Sequence, residues 1–277
     1  MVHRGFFKRN TTKIYAIVEK EISLNLRFKS QFLINLLNPL IQLFVYFFLF
    51  GAIFAIQQGG SIGYWNSSNF LLFLIIAMSI NYTQPIITKY TQLFLTEKYW
   101  KTLSAIIIAP LNRISLLIGI LISQILISSI GVIFLFTLSS ILFPISILQL
   151  ILFILAYFCI LLVFGSIGLI LGAFAISNEN FQNYYLLIVR FLFLLSCINY
   201  PKEIFPDFIQ FFFTLNPFYY LFDLLRLIWY SGLSPTNAFL YISPIHIITF
   251  ILITILSPII AVLLFERIYK KHGITGY

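Results

Sequence analysis

Few side chains in this sequence are of types that perform chemistry, and their spacing argues against a catalytic centre. None of the 13 glycines precedes a lysine and no Gly-x-x-x-x-Gly-Lys run occurs, so the phosphate-cradling loop of nucleotide-hydrolysing proteins is absent. A Mg²⁺-dependent transferase acting on membrane substrates needs paired carboxylates. The pairs here are Glu19 with Glu21, in a stretch rich in Lys and Arg, and Glu203 with Asp207, in a late connection on the side opposite most of the bases. His3, His246 and His272 are too distant in sequence to suggest a metal-ligand set. Cys159 and Cys197 each fall in an apolar segment and read as small buried hydrophobes. The expectation is a chain with no metal, no cofactor and no catalysis of its own, in which any nucleotide-driven activity belongs to a second polypeptide.

The elements that hold these residues follow from composition. Of 277 residues 61% are hydrophobic, 18% aromatic and only 9% charged, with a mean hydropathy of +1.01. Soluble domains average about 25% charged residues, so this chain cannot clothe a soluble surface. Several charge-free stretches reach the roughly 20 residues that cross about 30 Å of hydrocarbon as a helix. The net charge of +9 is scattered between these stretches rather than gathered on one face, which argues against nucleic acid as a partner. The first thirty residues are polar and basic and do not read as a cleavable signal.

Apolar runs predict six spans, at 33–56, 69–93, 114–138, 147–175, 182–200 and 242–265. An even number leaves both termini on one side. Arg4, Lys8, Arg9, Lys13, Lys20, Arg27 and Lys29 precede the first span, Lys89, Lys98, Lys101 and Arg113 surround the second connection, and Arg267, Lys270 and Lys271 follow the last span. The first and third connections, 57–68 and 139–146, carry no Lys or Arg, and 201–241 has only Lys202 and Arg226. The positive-inside rule therefore puts both termini in the cytoplasm, as expected of a multi-pass protein of the cell (inner) membrane.

Before the first span, residues 8–30 read as a basic amphipathic helix in the headgroup plane, in contact with membrane lipids. Arg9, Lys13, Lys20, Ser23, Arg27 and Ser30 share one face and Ile14, Tyr15, Val18, Ile22, Leu26 and Leu33 another, with Asn25 and Lys29 intruding on the apolar side. An ordinary basic flank is the alternative reading. Within the spans, Asn81, Thr83 and Gln84 ahead of Pro85 could pack helices or line a route, and Arg190 could snorkel, pair or meet a substrate. Gly165, Gly168 and Gly172 suggest close helix contact. The connection after the fifth span contains Pro201, Pro206, Asp207, Asn216, Pro217, Asp223 and Arg226 among aromatic runs. These residues oppose a clean crossing and fit two short helices over 201–232 that dip in from the outer face and return.

One cytoplasmic stretch carries a resemblance. From Glu97 through Lys98, Tyr99, Trp100, Lys101, Thr102, Leu103 and Ser104 to Ala109, Pro110 and Arg113, it resembles the signature of type-2 ABC export permeases: Glu, then Gly-Thr-Leu-Glu, an apolar pair, a small residue with Pro, and a base. Glu97, Thr102, Leu103, Ala109, Pro110 and Arg113 match, whereas Lys101 and Ser104 stand where the family has Gly and Glu. Asn216-Pro217 with Tyr219, Asp223 and Arg226 is similar to the family's run before the last span. The stretch from Ser196 to Pro206 is similar to its Ser-Gly and paired-proline exit from the fifth helix, with Cys197 in place of Gly.

The resemblance implies an all-α polytopic membrane protein with six transmembrane helices, an N-terminal interfacial helix, a cytoplasmic coupling helix within 94–113 and outer re-entrant helices. It further implies that Glu97, Lys98, Lys101, Thr102, Leu103, Pro110 and Arg113 meet a cytoplasmic ABC ATPase dimer that holds ATP and Mg²⁺, beside a second permease copy. Pro201, Pro206, Asn216, Pro217, Asp223 and Arg226 would shape the external gate. The expected function is ATP-driven export of lipid-like, drug or other amphipathic compounds. A polysaccharide or glycolipid exporter is a weaker alternative, because the sugar-exporting branch's entry motif is missing from Arg27 to Pro39. A gradient-driven carrier and a membrane enzyme acting on lipids are the rivals from other classes.

Overall fold

The computed structural model describes residues 2–56, 60–99, 113–177, 181–233 and 242–272. In hydrocarbon a backbone must satisfy its own hydrogen bonds, so apolar runs of this length fold as helices. The helices are α1 (Val2–Arg27), α2 (Lys29–Ile56), α3 (Phe70–Thr83), α4 (Pro85–Tyr99), α5 (Arg113–Leu142), α6 (Ile147–Ser177), α7 (Phe181–Leu194), α8 (Asp207–Leu215), α9 (Pro217–Gly232) and α10 (Pro244–His272), with one 3₁₀ turn at Lys202–Ile204. Among the described residues there is no strand, only an isolated bridge between Ile62 and Trp65.

Among the described residues, five stretches are long and apolar enough to cross a membrane: Phe32–Ile56, Phe70–Thr96, Ile118–Leu142, Ile147–Ala175 and Pro244–Ile268. The expected fifth span, 182–200, differs. Its helix α7 has 14 residues, about 21 Å at 1.5 Å per residue, short of the roughly 30 Å of hydrocarbon, so the chain's path from α6 to the outer connection is completed by the turn that follows it. The chain turns at 195–197, and α8 and α9 follow as the two short helices expected within 201–232. The second span is α3 and α4 in series. Pro85 cannot donate a backbone hydrogen bond, and the helix is interrupted at Gln84.

Helix α6 is the hub. Along it pack α4 and α10, with α9 against the same helix, and its buried Phe153, Tyr157, Ile160 and Phe164 join Trp229 and Phe222 of α9 in the main core. In lipid, helix association rests on close van der Waals packing and interhelical hydrogen bonds. Gly168 shows the first: a Cβ there would lie 2.8 Å from the Ile87 carbonyl oxygen, so only glycine lets α4 and α6 approach this closely. A Cβ on Gly172 would meet the Phe94 ring and one on Gly165 the Leu121 side chain. The second is seen where Tyr157 donates to the Ser79 carbonyl at 2.8 Å and Trp229 Nε1 to the Phe143 carbonyl at 3.1 Å.

At the end of the bundle carrying both termini, Tyr90, Phe94, Ile120, Leu169 and Phe265 form a cluster against which Ile17 of α1 packs. At the opposite end, Phe50, Phe54, Ile62, Trp65, Phe70 and Phe73 enclose the first connection. Much of α2 and α10 remains uncovered, with 22% and 6% of their apolar windows buried.

Candidate functional site

The functional residues expected from sequence fall into three places. Farthest from the termini is a polar knot where α7, α8, α9 and α10 meet. Asn216 begins it: its Oδ1 accepts from Phe218 N at 3.1 Å and caps α9, with Pro217 at the first helical position. This is the local chemistry that starts a helix. Its Nδ2 donates to the Leu192 carbonyl at 3.1 Å and to Ser196 Oγ at 3.0 Å, so the same side chain ties α9 to the end of α7.

Arg226, three turns into α9, is buried. Its guanidinium donates to the Cys197 carbonyl at 2.9 Å and to the Ile198 carbonyl, and stacks 4.1 Å from the centre of the Phe73 ring. A planar, permanently charged group suits both contacts. Cys197 itself has φ +51°, the left-handed region that L-residues other than Gly, Asn and Asp seldom enter. The family Gly that the sequence replaces with Cys197 thus falls on a backbone position whose geometry favours glycine.

Asp223 faces the other way. Its Oδ2 accepts from Tyr219 OH at 3.2 Å and lies 3.0 Å from His246 Nε2, while His246 Nδ1 is 2.6 Å from Ser243 Oγ. Ser243 precedes α10 and His246 sits in its first turn. The Lys202 ammonium lies 4.9 Å from the centre of the Tyr219 ring. Glu203 packs against the first connection, where a Cβ on Gly63 (φ +58°) would come within 2.9 Å of its side chain; burial raises its carboxyl above the usual range. Pro201 is buried and Pro206 exposed, the latter just ahead of α8.

The second place is the polar patch of the second span. Asn81 Nδ2 donates to Asn199 Oδ1 at 2.9 Å, Gln84 Nε2 donates to Asn81 Oδ1 at 3.0 Å, and Thr83 Oγ1 donates to the Ile80 carbonyl at 2.7 Å. The patch therefore fastens the break in the second span to the exit of α7. Arg190 is exposed on α7, and these bonds run without it. A small apolar cleft, lined by Ile87, Phe164, Val189, Phe193 and Phe222 among others, lies close by.

The third place is the end carrying the termini. Glu97 and Lys98 lie on α4 and Arg113 starts α5; Lys101, Thr102, Leu103 and Pro110 lie outside the described residues. What the structure adds is an ion pair: Lys89 Nζ is 3.1 Å from Glu21 Oε2, with the two side chains 23% and 4% exposed. Asn25 Nδ2 donates to the Glu21 carbonyl at 2.7 Å. Glu21, Asn199 and His246 are not among the site candidates that the sequence offers. For Glu21 the signal is present: Asn25, the polar intruder on the apolar face, lies one helical turn beyond it.

Among the described residues no group of His, Cys, Asp and Glu is arranged to hold a metal ion. What the three places share is a role in fixing helices to one another. Comparison with curated proteins finds no match. The family model of the ABC-2 type transporter matches residues 12–230, which takes in α1 from its middle, the first spans and the knot at α9; this chain belongs to that family.

Proposed function

We propose that this membrane permease of an ABC transporter is an exporter half, moving lipid-like, drug or other amphipathic compounds outward as one of two permease copies above a cytoplasmic ATPase dimer. The carrying observation is a convergence. Helix α4 ends at Tyr99 and α5 starts at Arg113, and α1 grips both helices, by Glu21 on Lys89 and by Ile17 against Gly119. An ATPase pressing on Glu97, Lys98, Lys101, Thr102, Leu103, Pro110 and Arg113 would push on helices already bound to the N-terminal helix. ATP and Mg²⁺ would stay on the partner. The end carrying the termini is then cytoplasmic, in the cell (inner) membrane, and the knot around Arg226 and Asp223 forms the external gate.

The cargo class is supported by the aromatic and aliphatic walls of the bundle. Phe44, Phe47 and Phe48 on α2 are exposed, offering an apolar surface to lipid, to cargo or to the second copy. The apolar cleft lined by Ile87, Phe164 and Phe222 is far too small for a drug-sized ligand, which favours passage between copies over passage through one. The decisive experiment is purification of the tagged chain from its native membrane with identification of the soluble ATPase that accompanies it, followed by reconstitution. Transport that follows ATP and survives collapse of the proton gradient supports the proposal. A chain with no ATPase partner, whose transport stops with the gradient, is a secondary carrier instead.

A further inference from the structure

We infer that Glu21 and Lys89 are positioning residues for energy coupling: their ion pair is the joint that makes the N-terminal helix and the inner half of the second span move as one lever about the Pro85 break. The inference rests on the permease reading for what drives the lever, but the joint itself is a property of this chain. Three independent observations carry it.

The first is the pair. A carboxylate 4% exposed, 3.1 Å from an ammonium 23% exposed, holds its partner in place because separating them leaves a charge buried without a counter-charge. It also explains how Lys89 is tolerated inside the apolar stretch Phe70–Thr96, where a lone cation is costly. The second is the break. Helix α3 is buried along nearly its whole length and anchored to the knot through Asn81 and Asn199. Helix α4 starts anew at Pro85, and Lys89 lies one turn beyond it. Interruption at a proline is where a helix bends. The third is the track. Helix α4 lies on the Gly168 and Gly172 face of α6, with Ile87, Tyr90 and Phe94 against the glycines, a flat surface over which a short rod can tilt without unlocking large side chains. Movement of α1 is therefore passed to α4 at Lys89 and absorbed at Gln84, leaving α3 and the knot at rest.

The test uses the full-length chain with the ATPase that co-purifies with it, in vesicles of phosphatidylethanolamine and phosphatidylglycerol. Spin labels are placed in pairs at the exposed positions Tyr15, Gln92 and Ser61 in a Cys159→Ala, Cys197→Gly background. The Tyr15–Gln92 distance should be the same with and without ATP and vanadate, while the Gln92–Ser61 distance changes. Without nucleotide, Lys89→Glu should lose at least half of the short Tyr15–Gln92 population, Lys89→Arg should keep it, and Glu21→Lys combined with Lys89→Glu should restore it. Glu21→Gln serves as the second single variant if Lys89→Glu does not insert. The joint is overturned if the Tyr15–Gln92 distance shifts with ATP as much as Gln92–Ser61, or if the double reversal behaves like the single one. If nucleotide moves no label pair while the charge variants behave as stated, the joint stands and the ATP-driven reading fails.

Discussion

His246 Nε2 lies 3.0 Å from Asp223 Oδ2 and thereby joins the first turn of the last span to the short helix before it. The tautomer with Nε2–H donating to Asp223 and Nδ1 accepting from the Ser243 hydroxyl satisfies every polar atom of the ring, so the contact works as a structural tie. Removing His246 leaves Asp223 with the Tyr219 hydroxyl alone, and removing Asp223 leaves His246 Nε2 without its partner. His246→Ala and Asp223→Ala should each destabilise by about 1–3 kcal/mol. Because the two share one contact, the double variant should fall short of the sum by about 0.5–3 kcal/mol. Thermal unfolding in detergent measures both, and strictly additive losses would remove the tie.

Arg226 should resist conservative exchange. Its guanidinium serves two carbonyls at once and stacks on Phe73. Lysine offers no plane for the ring, and its ammonium rides on a flexible stem that nothing holds at the two carbonyls. Arg226→Lys is expected to loosen the turn at 195–198 nearly as much as Arg226→Ala, read as faster modification of the buried Cys197 by a membrane-impermeant maleimide. Phe73→Leu should give a smaller effect, since the carbonyl contacts remain.

Cys197 tests the strained turn directly. At φ +51° a β-branched side chain costs more than an unbranched one, and glycine least. Cys197→Val should destabilise by about 1–2 kcal/mol or more, whereas Cys197→Gly should be close to neutral, the relief of strain offsetting the lost burial of the sulfur. A Gly variant as damaging as Val would mean that the thiol, and not the backbone, is what the site requires.

The same turn shows where sequence reading stops. Residues 182–200 are apolar enough to be read as one more span, because Leu194, Leu195, Cys197 and Ile198 carry no local signal to stop a helix. What ends α7 is remote: Arg226 and Asn216, 28 and 24 positions from their carbonyl partners at Ile198 and Leu192, take the backbone groups that a helix would use. Breaks with local causes are legible, as at Pro85 and at Asn216-Pro217, and so is the close packing at the glycines of α6. The pairing of Lys89 was not, because a basic residue near a span end satisfies the positive-inside pattern with or without a partner. The polar residues 81–84 were legible as a patch but not as a fastening, since Asn199 lies 118 residues from Asn81.

Glu203 should make the connection-bearing end of the bundle sensitive to pH. Burial raises its carboxyl, so between the usual carboxylate value and the raised native one the folded chain holds a proton that the unfolded chain releases. Stability therefore falls as pH rises through that window. The difference in Tm between the parent chain and Glu203→Gln, followed across the same range, should shrink at the acid side and widen with rising pH. A constant difference would place the carboxyl in solvent. Gly63→Ala should destabilise at every pH, since its Cβ meets Glu203 within 2.9 Å and its φ is +58°.

The last prediction concerns sidedness and coupling together, because one fails without the other. If the ATPase engages the segment 94–113, that segment must face the cytoplasm and the first connection must not. Cysteines at Ser61 and Asp207 should react with impermeant reagent from outside, and one at Lys98 only from inside. In the same topology, Glu97→Lys with Pro110→Gly should leave insertion and ATP hydrolysis intact while lowering transport per ATP consumed. The charge and the proline would be needed to pass movement on, and not to bind nucleotide. Unchanged transport per ATP removes the coupling role from these residues. A reversed labelling pattern removes it from the whole segment, since an ATPase confined to the cytoplasm could not reach a platform on the outer face.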